Sequence, residues 1–567
     1  MQFILNKVEA FGASCGLTFS SSKTNILVFS RRRTINYPQK CLMNGEQIKY
    51  AQSATLLGIK FDSKLTFKEH VINKLKTAQK TLMAVCNASQ KSWGLPPSSI
   101  DYFYRQIVRP KLTYGALVWH KVARLKSIQD KMRTFQRNAL MTMGNMRPST
   151  PTRALEVACY LLPLELQLRK IACESYFRCK NFEIVPLNDT YTTIESHKGH
   201  RQLCEEFLRD LDVYLLDCPS DRSAKTTYFL NNKYEVDFDS MVNKGDGCYG
   251  YPQFDTNFTI YTDGSLVKKP LVSAGAGIRI FQGYKEEGYR LGPDVTVWQS
   301  ELYAVKKAAQ FLIKNAPDLP EIKDEVVVIY LDSMAAIKAL GNIKTRSKLV
   351  IRTNSLLNAA AKNCKKLIIK WVKSHQSDPQ FIGNQISDFL ANSHAKNPEI
   401  PIAYDAPKPA FAIFKSLLSS KVDDLWGQYW KKLDHGRQAK EFFPIIEKGR
   451  SHKIICQPKK VFSKLLQCLS GHAFLAKHNA IVGAPSGPHH YGPQLDPECR
   501  LCDVGQLQTP AHLLSECGYF LLLRSQIFEM YIVHAPFNTL PISKIIKFLH
   551  QSKLNELTWE DEANNTA

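Results

Sequence analysis

The sequence predicts a multidomain α/β chain. A mixed five-stranded sheet with flanking helices lies near the middle, a mostly helical region precedes it, and a helical segment with a small Cys/His motif follows it. Three observations carry this prediction. The chain has 567 residues, enough for three or four domains. Between Phe258 and Ala395, apolar β-type runs alternate with stretches of helical period, the pattern of a sheet covered by helices. Outside that region helical patterning dominates, and four Cys/His residues bunch between Cys499 and Cys517.

Phe258 to Tyr261 and Ala276 to Phe281 read as strands, with turn signals at Gly264-Ser265 and Gly283. From Ser300, taken as the cap, Leu302, Val305, Ala308, Ala309 and Leu312 recur at helical spacing, so Glu301 falls in the first turn. Val326 to Leu331 is a continuous apolar run, as expected of a strand buried on both faces. Asp332 closes it, and Ser333 is placed to cap a helix from Met334 to Leu340. Leu367 to Val372 gives another strand and Phe381 to Ala395 a last helix, completing the order βββαβα(α)βα.

This order brings Asp263 and Asp332 onto neighbouring strands, with Glu301 and Asp388 on helices packed against the sheet. Four acids gathered at one sheet end repel one another unless cations sit between them, and paired divalent metals acting on phosphodiesters are the usual answer. Taken singly, Asp263 reads equally as a turn aspartate, Glu301 as a helix-dipole carboxylate and Asp332 as a loop acid.

Together the blocks Tyr261-Thr262-Asp263-Gly264-Ser265, Ser300-Glu301-Leu302-Tyr303-Ala304, Leu331-Asp332-Ser333, Trp371-Val372-Lys373-Ser374-His375 and Gly383-Asn384-Gln385-Ile386-Ser387-Asp388 resemble type 1 ribonuclease H, in the family's order. The resemblance implies a metal-dependent endonuclease that hydrolyses the RNA strand of RNA–DNA hybrids. Asp263, Glu301, Asp332 and Asp388 would ligate two Mg²⁺ or Mn²⁺ ions, Asp263 bridging both, and His375 would assist proton movement or product release. It further implies contacts to ribose 2′-hydroxyls around Gly264 and Ser265 and near Gln299. Two departures stand out. Gln385 replaces a frequent Glu, and the short connection Gly341 to Arg346 leaves no room for a basic helix that some members use to grip the hybrid.

A formal charge of +24 and a pI near 9.3 favour a polyanionic partner, RNA–DNA hybrid or RNA, so affinity is expected from elsewhere in the chain. Basic clusters at Arg31-Arg32-Arg33 and between Lys121 and Arg137 are candidates for phosphate contact or plain solvated faces.

The N-terminal third carries Cys15-Gly16-Leu17-Thr18-Phe19, Ile26-Leu27-Val28-Phe29, Leu56-Leu57-Gly58-Ile59-Lys60-Phe61-Asp62 and Glu69-His70-Val71. These resemble the palm end and thumb of a reverse transcriptase from a non-LTR retrotransposon. Pro110 to Trp119, Phe135-Gln136-Arg137 and Pro163-Leu164 resemble the connector that follows. The expected organisation is therefore a truncated palm end and thumb over 1–120, a connector over 121–250, the ribonuclease H-like domain over 251–397, and a C-terminal helical region over 410–550. Polymerase activity is not expected, because the paired aspartates of the family precede the point where Met1 falls; Asp423-Asp424 lies in a helical stretch. The chain resembles a truncated copy, or a partial gene reading, of an element's second reading frame.

At the C-terminal end, Cys499-Arg500-Leu501-Cys502 is followed by His512 and Cys517. A Cys-x₂-Cys knuckle with a His-x₄-Cys pair suits a closed, structural zinc site. The string from Thr509 to Cys517 resembles the CCHC motif found after ribonuclease H in arthropod retrotransposons, and Gly471-His472, Lys477-His478, Trp426 and Trp430 fit the segment before it. The remaining cysteines are scattered, which fits a reducing, intracellular setting. No secretory leader or membrane-length apolar run is evident. Asp217 to Gly250 and Asn397 to Pro409 read as linkers, and Trp559 to Ala567 as a frayed acidic tail. The rival to the enzyme is a catalytically dead nucleic-acid-binding remnant.

Overall fold

The computed structural model describes residues 1–567 except 31, 34–39, 89–93, 145, 182–198, 214–226, 239–256, 269–271, 281–284, 316–320, 375–381, 435, 474, 483–495, 503, 535 and 553–567. The chain divides into two compact units: residues 1–173, 198–204 and 422–567 in one, and 174–197 and 205–421 in the other. Segments before and after the central sheet in sequence thus share the first unit.

The second unit holds a six-stranded mixed sheet. Its strands are β1 (Glu235–Asp237), β2 (Asn257–Val267), β3 (Ser273–Ile280), β4 (Lys285–Gly292), β5 (Val326–Leu331) and β6 (Lys366–Trp371), in the spatial order β4-β3-β2-β5-β6-β1. Short connections join β2, β3 and β4, which pair antiparallel with Asp263 opposite Gly277. Strands β5 and β6 follow helical crossovers and pair parallel, as crossover geometry requires. The covering helices are α1 (Val297–Asn315), α2 (Met334–Gly341), α3 (Lys348–Ala360) and α4 (Ile382–Lys396). The apolar run of β5 is buried on both faces, as its composition predicts. Val327, Ile329 and Leu331 join the core under α1, while Val328 and Tyr330 pack with Tyr261 on the other face.

Four expectations need correction. The sheet has six strands, because Glu235–Asp237 extends it beside β6. That stretch was read as linker because a three-residue charged strand shows no apolar alternation. It is anchored by buried Tyr234, whose hydroxyl donates to the Leu340 carbonyl at 3.0 Å. The long helix begins at Val297, so Ser300 is internal and its Oγ donates to the Val297 carbonyl at 2.7 Å. The start is instead held by a reciprocal box in which Gln299 N–H donates to Thr296 Oγ1 at 3.3 Å and Thr296 N–H to Gln299 Oε1 at 3.2 Å. Ser333 occupies the N-cap position of α2 without a side-chain capping bond.

The run Asn397 to Pro409 is likewise a strap rather than a free linker. Ala403 N–H donates to the Arg290 carbonyl at 2.8 Å, and Tyr303 Oη donates to Asp405, which also pairs with Lys306 and Lys307. These bonds hold the strap against β4 and α1.

In the first unit, helices such as Lys68–Asn87, Lys126–Gly144 and Lys459–Ser470 pack around apolar side chains. Ser451 Oγ donates to the Val157 carbonyl at 3.1 Å, and Tyr160 Oη to Asp423 at 2.5 Å, linking residues far apart in sequence. Asp423-Asp424 lies in the helix Phe411–Lys432. Among the described residues, all cysteines are free and no helix is long and apolar enough to cross a membrane.

Candidate metal centres

The carboxylate centre is assembled by the second unit's sheet. Leu331 on β5 pairs with Thr262 on β2, so Asp332 and Asp263 lie side by side where this parallel pairing stops, β5 ending at Leu331 while β2 runs on to Val267. Thr262 Oγ1 donates to the Tyr330 carbonyl at 3.1 Å, and Trp371 Nε1 to the Asp332 carbonyl at 2.9 Å, fixing the backbone beside both acids. Glu301 is delivered by α1, which approaches β2 so closely that a Cβ on Gly264 would lie 2.3 Å from the Glu301 nitrogen. Only glycine fits there, which gives the Asp-Gly step a packing reason.

Helix α4 brings Asp388. It lies flat on β3 because that strand presents glycines to it. A Cβ on Gly277 would meet the Ser387 carbonyl oxygen at 2.2 Å, and one on Gly275 the Ala391 oxygen at 2.1 Å. Asn392, one turn beyond, donates from Nδ2 to Asp388 Oδ1 at 2.9 Å and accepts from Ser265 Oγ at 2.9 Å, tying the fourth acid to the strand of the first.

One oxygen each from Asp263, Glu301 and Asp332 lies within 4.8 Å of the others, and Asp388 hydrogen-bonds to Asp263. Asp263 and Glu301 are 5% and 4% exposed, so their crowding is not relieved by water. Burial, followed by the charges of Asp332 and Asp388, pushes Asp263 up to about 8. Burial, followed by Asp263 and Asp332, holds Glu301 well above the usual carboxylate range. Glu301 Oε2 is buried with no hydrogen-bond partner. An unpaired Glu301 oxygen among crowded, all-oxygen donors fits hard divalent cations.

The other residues expected at this site fall differently. Ser265 is spent on Asn392. Gln299 is fully buried, its carboxamide bonded to Thr296 and, at 2.8 Å, to the Lys408 carbonyl of the strap. His375 lies outside the described residues, just beyond Lys373 and Ser374. Sequence reasoning missed Asn392, although its i+4 spacing from Asp388 on a helix was a usable signal, and it missed the Thr-x-x-Gln box.

The second centre lies in the first unit. Cys499, Cys502, His512 and Cys517 each offer an atom within 4.8 Å of the others. Cys499 Sγ and Cys517 Sγ are 3.9 Å apart, and Cys502 Sγ is 3.3 Å from His512 Nε2. The knuckle is closed by Cys499 N–H donating to the Gln506 carbonyl at 2.7 Å. Helix α5 (Pro510–Ser515) carries His512, with Thr509 as N-cap accepting from His512 N–H and Pro510 at its first position. His512 Nδ1 faces Glu516 at 3.3 Å, which orients the ring with Nε2 toward the sulfurs. Burial pushes the Cys517 thiol up to about 12 and raises Cys499 as well. Three sulfurs and one imidazole, mostly buried, fit a tetrahedral Zn²⁺.

With this geometry in hand, the comparisons are specific. The RNase H family model matches residues 255–396. The 115 kDa protein in type-1 retrotransposable element R1DM of Drosophila melanogaster is 25% identical over 173 residues, 30% of this chain and 16% of that protein. The retrovirus-related Pol polyprotein from type-1 retrotransposable element R1 of Nasonia vitripennis is 20% identical over 170 residues, 29% of this chain and 50% of that protein. The crystal structure of prototype foamy virus protease–reverse transcriptase aligns with 25% of this chain and 21% of its own, at 20% identity and a TM-score of 0.20. The matches thus span half or less of these relatives' length. Residues 255–396 form an RNase H domain with a mixed sheet, in a chain homologous to Pol proteins of R1 non-LTR retrotransposons.

Proposed function

We propose that the chain hydrolyses the RNA strand of RNA–DNA hybrids, using Mg²⁺ or Mn²⁺ held by Asp263, Glu301, Asp332 and Asp388. The observation that carries the proposal is the buried, mutually repelling carboxylate cluster with an unpartnered Glu301 oxygen. Two divalent ions bound there would supply the charge that activates a water and stabilises the departing oxygen of a phosphodiester.

The chain's own residues do the rest. The end of the β2–β5 pairing fixes Asp263 and Asp332, helix α1 holds Glu301 against Gly264, and Asn392 orients Asp388. His375 is proposed to carry a proton near neutral pH, where an imidazole changes charge. Backbone around Gly264 and Ser265 is proposed to meet the ribose 2′-hydroxyls, and Gln299 contributes by shaping the start of α1. The net charge of +24 supports a polyanionic partner, and the RNase H family model over residues 255–396 supports hybrid as that partner. DNA synthesis lies outside the proposal, since the chain's sole Asp-Asp pair, Asp423-Asp424, sits in a helix. We also propose a structural Zn²⁺ at Cys499, Cys502, His512 and Cys517.

The test is incubation of the full chain with a hybrid labelled in its RNA strand, in Mg²⁺ or in EDTA. RNA cleavage that needs Mg²⁺ and disappears in Asp263→Asn and Asp332→Asn is the expected result. Hybrid binding without cleavage would instead favour a catalytically dead nucleic-acid-binding remnant.

A further inference from the structure

We infer that Arg524 supplies the counter-charge of the Cys/His centre, a role that rests on the proposed zinc reading of that centre. Arg524 lies on helix α6 (Leu521–Phe528), after Leu521 to Leu523 and before Ser525 and Gln526, and its side chain is fully buried. A guanidinium in such a place is costly unless its charge and its donors are answered. Its donors are answered only in part. Nε donates to the Tyr531 carbonyl at 2.8 Å and Nη1 to the Leu513 carbonyl at 3.3 Å, while Nη2 is buried with no partner.

The Nη1 bond fastens Arg524 to the helix that carries His512, since Leu513 adjoins that residue on α5. The same helix end is held by Val533 N–H donating to the Ser515 carbonyl at 2.9 Å and by Cys517 N–H donating to the His512 carbonyl at 3.0 Å. Burial disfavours the charged guanidinium, and the groups that offset this are Cys517, once it is a thiolate, and Glu516. Glu516 is half exposed and already faces His512. Cys517 is fully buried.

Charge arithmetic then decides. Three neutral thiols and an imidazole leave a buried cation answered only by a solvated carboxylate. Three thiolates around a dication, with a neutral imidazole, carry one net negative charge, which Arg524 cancels. The centre and the arginine are therefore complementary when the site is loaded and mismatched when its sulfurs are neutral. Arg524 is a positioning and charge-balancing residue; it is not a ligand.

The probe is Co²⁺ titrated into the full chain, read by the thiolate-to-cobalt charge-transfer band, with Cys499→Ser as the control that assigns the band to this centre. Arg524→Gln keeps amide donors for the carbonyls but removes the charge, whereas Arg524→Lys keeps the charge. We expect Arg524→Gln to weaken Co²⁺ binding by on the order of 10-fold or more, as removal of outer-shell partners does, with Arg524→Lys closer to wild type. Arg524→Gln that fails to fold even in excess Zn²⁺, beside a folded, metal-binding Arg524→Lys, supports the same conclusion. Unchanged binding in Arg524→Gln overturns the inference, and so does equal weakening or misfolding of both variants, which would mark a purely steric role. A wild-type chain without the charge-transfer band would instead sink the zinc reading itself.

Discussion

The two metal centres solve opposite problems. The Cys/His centre draws all four donors from the short stretch between Cys499 and Cys517, shaped by a knuckle, a capped single-turn helix and one buried arginine. The carboxylate centre gathers Asp263, Glu301, Asp332 and Asp388 from two strands and two helices, so it exists only once the sheet is built. Sulfur and imidazole donors suit closure around a structural ion, whereas crowded oxygens leave like charges unrelieved and suit cations that would be used for chemistry. One centre is part of how its region folds; the other is a strain that a folded domain tolerates.

This contrast can be broken at several points. The largest effect is expected at Asp263: Asp263→Asn should reduce hybrid cleavage by on the order of 10³-fold or more, a scale set by loss of preorganised electrostatics. The same variant should raise the melting temperature of the metal-free chain, because it removes a repelled charge. Activity that survives, or a melting temperature that falls, would count against functional strain at this centre.

Next comes pH. Asp263 holds its proton more tightly when folded, up to about 8, than an ordinary carboxylate does near ~4. Such a group favours folding below its unfolded pKa, and that contribution is lost as pH rises toward the folded value. The melting temperature in EDTA should therefore fall between about pH 4 and 8, and Mg²⁺ should flatten the fall. A flat profile in EDTA would contradict the crowding.

Gly277→Ala is smaller in effect. Its Cβ would sit 2.2 Å from the Ser387 carbonyl, so α4 must move, at a cost of about 1–3 kcal/mol in urea unfolding. Cleavage should drop with it, because Asp388 rides on that helix. The mildest change is Glu516→Gln, which loosens the orientation of His512 and should weaken zinc about 10-fold by competition with a chromophoric chelator. It should leave hybrid cleavage intact, since the carboxylate centre belongs to the other unit. Cleavage lost in Glu516→Gln would contradict the independence of the two centres.

How much of this was legible in the sequence follows from the same contrast. Gly264-Ser265, expected as a turn, lies inside β2, whereas the buried run of β5 was readable because a continuous apolar strand is a local signal. The Cys/His spacing was readable for the same reason. The edge strand Glu235–Asp237 was not, since its place is set by Tyr234 reaching into the core and not by its own pattern. The strap after Asn397 escaped because its bonds run to Arg290, Gln299 and Tyr303, more than a hundred residues earlier in several cases. Ser300 was misplaced as a cap because the Thr296–Gln299 box four residues upstream was overlooked. Arg524 carried no signal at all: an arginine in a leucine-rich helix declares its partner only in three dimensions.

The central claim, that four carboxylates gathered by the sheet hold two divalent cations, is tested most directly by anomalous diffraction from crystals of the chain grown in Mn²⁺. Two peaks within the cluster, with Asp263 touching both, are the predicted result. A map without manganese among Asp263, Glu301, Asp332 and Asp388, in crystals that diffract well enough to show it elsewhere, would contradict the account.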